Sequence, residues 1–347
     1  MENTPFFSIV MPAYNCESSI GLTIDSVLAQ SFTEFELIII NDGSADSTKQ
    51  VIERYHNKDY RVKFKTIQNG GPGNARNKGI ELANGNYLLF IDSDDVMKEH
   101  TLSTYASYIN EKNVDLIISS YNLKVLDGDV VVDTREVEAP ELMINTDKEF
   151  LNNIYPLMNK QLMYVVWNKL YKLSIVKGNN VVFPAYNSCE DRLFNIQYFH
   201  HVNSCKVVND VLYNYSFDGR NSLTNKYFDN KFDTFVEFYR ELILLTEKNR
   251  RGSSALFLKG VMSCIIPLHS KSCKLSYRDK LEYIREIVNF PDVKKAADET
   301  LLDTKMRKVM KILFESKSVL LNYTASKIMY SISTTSPKTI EKFKRRF

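Results

Sequence analysis

The chain has 347 residues, 45 Lys and Arg against 42 Asp and Glu, a net charge of +3 and 44% hydrophobic residues, which suits two packed domains and excludes the disordered and fibrous classes. No run approaches the roughly 20 apolar residues of a bilayer-spanning helix, and residues 1–5 carry no basic stretch of the secretory type, so a cytoplasmic protein is expected. The cysteines, Cys16, Cys189, Cys205, Cys264 and Cys273, are odd in number and form no C-x-x-C pair, which argues against a disulfide framework or a zinc knuckle and predicts free thiols.

Short apolar runs predict strands over residues 7–11, 35–40, 62–67, 87–91 and 115–119, with amphipathic helices between them. That alternation predicts an α/β architecture: a Rossmann-like, mainly parallel sheet with crossover helices. In such sheets ligands bind beyond the carboxyl ends of the strands. Those ends here carry Pro12-Ala13-Tyr14-Asn15, Asn41-Asp42-Gly43-Ser44, Asn69-Gly70-Gly71 and Asp92-Ser93-Asp94-Asp95, so four polar clusters converge on one rim. A hairpin is expected around Asp127-Gly128-Asp129, and the acidic pair Glu190-Asp191 precedes a helical stretch.

Each cluster has a structural and a chemical reading. Asp92, Asp94 and Asp95 crowd three like charges at a strand end, which a hard divalent cation between carboxylate and diphosphate oxygens would relieve; a solvated turn or helix N-cap is the plainer alternative. Asp42 is placed to accept an N–H from a base edge, or simply to start a helix. The glycines from Asn69 to Gly73 open a helix whose free N–H groups and Arg76 attract an anion, although neither the P-loop nor G-x-G-x-x-G is present. In Glu190-Asp191 a carboxylate facing the donor would take a proton from an attacking hydroxyl; a helix start with well-placed acids is the rival. The adjacent His200 and His201 lack a third ligand at metal spacing and read as surface or core residues.

Taken in order, P-A-Y-N, N-D-G-S, N-G-G-P-G-N-A-R-N, D-S-D-D and E-D over about the first 225 residues resemble the family 2 glycosyltransferases of the GT-A fold. The resemblance implies that Pro12, Ala13, Tyr14 and Asp42 line the base pocket of a UDP-sugar, and that the loop carrying Asn69, Gly71 and Arg76 closes on base and ribose. Asp92 would lie by the ribose with Ser93 beside it in the nucleotide-sugar site, Asp94, supported by Asp95, would hold Mn²⁺ or Mg²⁺, and Asp191, helped by Glu190, would be the general base of an inverting transfer. Lys169 in Trp167-Asn168-Lys169 and Arg220 in Arg220-Asn221-Ser222 are similar to stretches that border acceptor or diphosphate, and are candidates for phosphate charge compensation. The Q-x-x-R-W motif of processive synthases is missing, so transfer of one sugar to a carbohydrate acceptor of a cell-surface polymer is favoured. A non-catalytic nucleotide or carbohydrate binding protein on the same fold is the alternative.

Up to Asn225 there are 20 Lys and Arg against 28 Asp and Glu, and from Lys226 onward 25 against 14. With the loss of strand signals, this places a boundary between a GT-A domain, 1–225, and a smaller, basic, mainly helical domain, 226–347. Met306, Val309, Met310, Leu313 and Phe314 recur at helical spacing with Lys305, Arg307, Lys308 and Lys311 on other faces. The basic outer face is expected to touch a membrane surface or an anionic or lipid-linked acceptor, with self-association into a homo-oligomer equally open. Its cations are dispersed among acids, so no nucleic-acid partner is expected.

Overall fold

A computed structural model describes residues 4–128, 130–186, 188–218 and 227–335. In chain order the elements are β1 (Phe7–Ala13), α1 (Ile20–Leu28), β2 (Phe35–Asp42), α2 (Thr48–His56), β3 (Val62–Ile67), α3 (Pro72–Leu82), β4 (Tyr87–Phe90), β5 (Val96–Met97) and α4 (Thr101–Glu111). There follow β6 (Leu116–Asp127), β7 (Val130–Val137), β8 (Leu142–Ile144), α5 (Asp147–Asn159), β9 (Lys169–Lys172), α6 (Leu173–Gly178), α7 (Glu190–Phe199) and β10 (Cys205–Asp218). Helices complete the described chain: α8 (Lys231–Leu245), α9 (Arg250–Ile265), α10 (Tyr277–Asn289), α11 (Pro291–Glu299), α12 (Lys305–Glu315) and α13 (Val319–Thr335).

The chain divides into two compact units, Met1–Leu123 with Arg135–Ala185 and Glu190–Ser216, and Lys124–Thr134 with Tyr186–Cys189 and Phe217–Phe347. Lys226, where the composition changes, lies outside the described residues, as does Arg220.

The sheet runs β3-β2-β1-β4-β9-β6-β10-β5, with β7 on β6 and β8 on β10. Its β3-β2-β1-β4 half is parallel, and β9 then pairs antiparallel with both β4 and β6. β2, Phe-Glu-Leu-Ile-Ile-Ile-Asn-Asp, is buried at every position, as a central strand covered on both faces must be. At the edge, β3 alternates apolar residues with exposed Lys63 and Lys65, charges that discourage pairing with another chain. Gly79 lets α3 lie against β1, because a Cβ there would stand 2.3 Å from Val10 Cγ1.

The strands expected over 7–11 and 35–40 run two residues further, to Ala13 and Asp42. β6 extends well beyond the expected 115–119, to Asp127, and turns through Gly128 (φ +65°) into β7. Asp129 of that hairpin lies outside the described residues.

The second unit packs its helices around Phe235, Tyr239, Leu258, Val261, Ile284 and Phe314. Within it, the stretch Glu247–His269 does reach the length and hydropathy of a membrane span, at 23 residues, contrary to the sequence reading. Its most apolar window is 72% buried inside the protein, which is how a core helix of a folded domain looks. On α12, Met310, Leu313 and Phe314 face the core as their spacing predicts, whereas Val309 is 44% exposed. Arg307 is not on the outer face: it is buried and its Nη1 donates to both carboxylate oxygens of Asp303, at 3.0 and 3.1 Å. All five cysteines are free thiols.

Candidate active site

The parallel strands deliver their carboxyl ends to one rim. Pro12 and Ala13 end β1 beside Ile40 and Asn41 of β2, and Tyr14 follows with 53% of its surface exposed. Asp42 closes β2 opposite Ile67 of β3. It is buried, and its two carboxylate oxygens each accept a backbone N–H, from Gly70 and from Gly71, both at 2.8 Å. Asn69 Nδ2 donates to the Asp42 carbonyl at 3.0 Å. Asp42 therefore shapes the 69–71 loop, with further lone pairs left to accept from a ligand. Gly71 makes this possible at φ +86°, a backbone state that side chains rarely adopt.

α3 begins immediately after that loop and places Arg76 one turn in, 4% exposed. Its Nη1 donates to Asp191 Oδ1 at 2.9 Å and its Nη2 to Asp92 Oδ1 at 2.8 Å, while Glu190 Oε1 stands 3.6 Å from Nη1. The Phe183 ring lies 5.4 Å from the guanidinium. Burial works against the charged form, but Asp191, Asp92 and Glu190 together hold the pKa of Arg76 above its ordinary value. The fork that the sequence suggested for a ligand anion is thus occupied by three of the protein's own acids.

Asp191 opens the first turn of α7, its side chain 22% exposed although surrounded by protein. Burial raises its carboxyl above the ordinary range; Arg76 pulls it back, Glu190 and Asp92 raise it further, and Lys169 lowers it. Burial, only partly offset by the Arg76 charge, thus brings this acid up to about 7.

Lys169, expected to meet a phosphate, has no exposed surface: its Nζ donates to Leu162 O at 2.8 Å, to Val165 O at 2.5 Å and to Asn168 Oδ1 at 2.8 Å. Burial drives its pKa down to about 7, with Asp191 acting in the opposite direction. It supports the cluster electrostatically from inside the fold.

The turn after β4 sorts its acids three ways. Asp92 holds Arg76. Asp95 is 1% exposed and satisfied, its Oδ2 accepting the Tyr213 hydroxyl and its Oδ1 the Ser216 N–H, both at 2.9 Å. The same Tyr213 oxygen accepts the Asp92 N–H at 3.1 Å. Asp94 is exposed, yet desolvation by the protein around it and then the charge of Asp92 push its carboxyl up to about 6. Ser93 is anchored through its carbonyl, which accepts from Ser19 Oγ at 3.1 Å. Trp167 braces the arrangement from beneath, with the rings of Tyr213 and Tyr215 stacked on it at 4.5 and 4.9 Å.

Among the described residues no three His, Cys, Asp or Glu side chains are grouped to hold a metal ion. Asp95, expected as a ligand, is buried, and each of its oxygens already accepts one hydrogen bond, from Tyr213 and from Ser216. Asp94 offers one open carboxylate with a raised pKa. That donor set fits Mg²⁺ or Mn²⁺ taking most of its oxygens from a diphosphate and water, and does not fit an ion held by protein alone.

The structure thus brings Arg76, Asp92, Glu190 and Asp191 together, and sets Asp42, Asn69 and Gly71 on the neighbouring strand ends of the rim. Tyr213, Ser216 and Phe183 escaped the sequence reading because nothing in their local pattern marks them; only the fold carries them to the acids.

A model of Glycosyl transferase family 2 matches residues 8–172. Among curated proteins, poly(ribitol-phosphate) beta-N-acetylglucosaminyltransferase TarS of Staphylococcus aureus is 32% identical over 216 residues, 60% of this chain and 35% of TarS. The chain thus matches about a third of that relative's length. The putative glycosyltransferase EpsH of Bacillus subtilis is 28% identical over 79% of this chain and 77% of its own. Among solved structures, S. aureus TarS 1–349 in complex with UDP-GlcNAc superposes with a TM-score of 0.66 at 24% identity, covering 94% of this chain and 91% of that one. The fold is the GT-A type with a helical carboxyl-terminal region.

Proposed function

We propose, from the match of residues 8–172 to glycosyl transferase family 2, that the chain moves a single sugar from a UDP-sugar to a carbohydrate acceptor of a cell-surface polymer, with inversion. The observation that carries this reading is the cluster in which Arg76 orients Asp191 beside Asp92 and Glu190. A general base works best when its pKa is close to the operating pH, and the raised carboxyl of Asp191 meets that requirement.

In this reading the acceptor hydroxyl attacks the anomeric carbon in line. Its proton passes to Asp191, the new glycosidic bond forms, and the bond to the diphosphate breaks with its electron pair leaving on UDP. Arg76 is a positioning residue: it fixes the carboxylate and tempers its basicity. Pro12, Ala13, Tyr14 and Asp42 line the base pocket, the Asn69–Gly71 loop covers it, and Asp92 and Ser93 face the ribose. Mg²⁺ or Mn²⁺ beside Asp94, when bound, offsets charge on the departing diphosphate.

The UDP-GlcNAc complex of TarS makes that donor the first to try, and TarS's name makes a polyol-phosphate polymer a natural acceptor class. On α12, Lys305, Lys308, Val309 and Ile312 are all exposed, a basic and apolar face suited to peripheral contact with a cytoplasmic membrane surface.

The test is binding and hydrolysis of a panel of UDP-, GDP- and dTDP-sugars, with Mn²⁺ or with chelator. One UDP-sugar is expected to turn over with metal, and both chelator and Asp94→Ala are expected to abolish that turnover. Failure of every nucleotide sugar to bind would overturn the reading in favour of a carbohydrate-binding module.

A further inference from the structure

A second set of buried polar side chains holds the start of α7 that carries Asp191. Asn195 stands at i+4 from Asp191, one turn further along the same face of α7, and is buried. Its Oδ1 accepts the Tyr171 hydroxyl at 2.6 Å, and its Nδ2 donates to Val165 O at 3.1 Å and to Tyr164 O at 3.4 Å. Lys169 Nζ donates to the same Val165 carbonyl, as well as to Leu162 O and Asn168 Oδ1. Asn168 Nδ2 in turn donates to Leu162 O at 3.1 Å and to Ser119 O at 3.2 Å. Residues 162–168 form neither helix nor strand. Their conformation is therefore fixed by Lys169 and Asn168 from within, and they are fastened to α7 by Asn195.

Holding a loop does not by itself require a charge. Among the described residues Lys169 forms no ion pair, and its three bonds all go to neutral oxygens. Those three acceptors match the three N–H groups of an ammonium, whereas a neutral amine would turn its lone pair onto an oxygen. The site thus favours the charged form even as burial lowers its pKa to about 7. An apolar side chain would fill the space without the cost of burying an ion. What the charge meets is the acid cluster: Asp191 is surrounded by Arg76 of α3, Asp92 after β4, its neighbour Glu190, and Lys169 of β9.

We propose that Asn195 and Lys169 are positioning residues for sugar transfer, Asn195 fixing the first turn of α7 against the 162–168 loop and Lys169 anchoring that loop while supplying a fixed positive charge to the cluster. The inference rests on the reading of Asp191 as the general base. Arg76 grips the carboxylate itself, and Asn195 grips the helix that carries it. Together they hold the base at one place, where a misplacement of about 1 Å can cost on the order of 10²-fold in rate.

The experiment measures kcat, the pH profile of kcat/KM and calorimetric UDP affinity, with the UDP-sugar that the donor panel selects, UDP-GlcNAc first. Asn195→Ala is expected to lower kcat by about 10–10²-fold, with the acid limb and UDP affinity unchanged. Tyr171→Phe, which removes one hydroxyl from the fully buried network, is expected to act in the same way by a smaller factor and keeps the question open to test should Asn195→Ala not fold. Lys169→Met removes a positive charge that favours the Asp191 carboxylate, so its acid limb should move upward; Lys169→Arg, which keeps the charge, should return the limb to its wild-type position. Wild-type kcat in both network variants, an acid limb unmoved by Lys169→Met, or UDP affinity lost in step with turnover would each overturn the proposal. Asp191→Asn run alongside separates the two levels. If it transfers at the wild-type rate, the base reading falls and this inference with it; if it is slow while the Asn195, Tyr171 and Lys169 variants behave as wild type, only this inference falls.

Discussion

Around Arg76 the first unit gathers three acids on one buried guanidinium, whereas in the second unit Asp229, Asp233, Asp279, Glu282 and Glu286 stand exposed to solvent at the start of α8 and along α10. Carboxylates that share an internal cation keep a fixed geometry without any ligand, which is what a catalytic base requires. Carboxylates that stand in water are solvated there and contribute little to stability. The contrast assigns preorganisation to the first centre and solvation to the second.

The comparison is broken most forcefully at Arg76. Arg76→Met leaves three acids without their shared cation, and removing one partner of such a buried pair costs about 3–5 kcal/mol; urea unfolding should show that loss. Asp229→Asn with Glu286→Gln should instead leave unfolding unchanged or slightly improved. Equal destabilisation at both centres would dissolve the distinction.

Tyr213→Phe probes the support under the turn. It strips Asp95 Oδ2 of its hydroxyl donor and the Asp92 N–H of its acceptor, with an expected cost of about 1–3 kcal/mol in the same unfolding measurement.

The pH dependence of turnover sharpens the role of charge. Asp191 must be ionised to accept a proton and its carboxyl is raised, so kcat/KM should fall on the acid side at a pH above the usual carboxylate range. Because Arg76 pulls that carboxyl down, Arg76→Lys, with its poorer fork, should move the limb upward. A limb that ignores position 76 would argue against Asp191 as the base.

Asp94 gives the smallest effect. With its carboxyl raised to about 6 from 3.8, the folded chain holds a proton that the unfolded chain has released in that interval. The folded state binds more protons there, so stability is greatest at the acid end and declines as pH rises through about 6. Asp94→Asn should flatten the decline, by a small amount because the group is exposed and screened.

Much of the rim was readable because it is local. Strand ends, glycine turns and acid pairs sit within a few residues of one another, and the five expected strands fall where apolar runs stand. What escaped depends on contacts far apart in sequence. Arg76 meets Asp191 across 115 positions, and Tyr213 meets Asp95 across 118. Neither pairing leaves a spacing to detect, so Arg76 read as a free anion fork and the hydrogen bonds of Asp95 to Tyr213 and Ser216 went unseen. Lys169 and Arg307 misled for a related reason: a cation usually marks the surface, and only the packing shows that carbonyls and an aspartate have taken each inside. The long continuation of β6 was hidden because Tyr121, Asn122 and Lys124 look like a polar exit from the strand.

The most direct measurement is single-turnover sugar transfer by Asp191→Asn with the donor that the wild-type protein uses, alongside donor affinity. The account predicts donor binding close to wild type and transfer slower by about 10²–10⁴-fold, the usual contribution of a general base. Transfer at the wild-type rate with Asn at position 191 would contradict it.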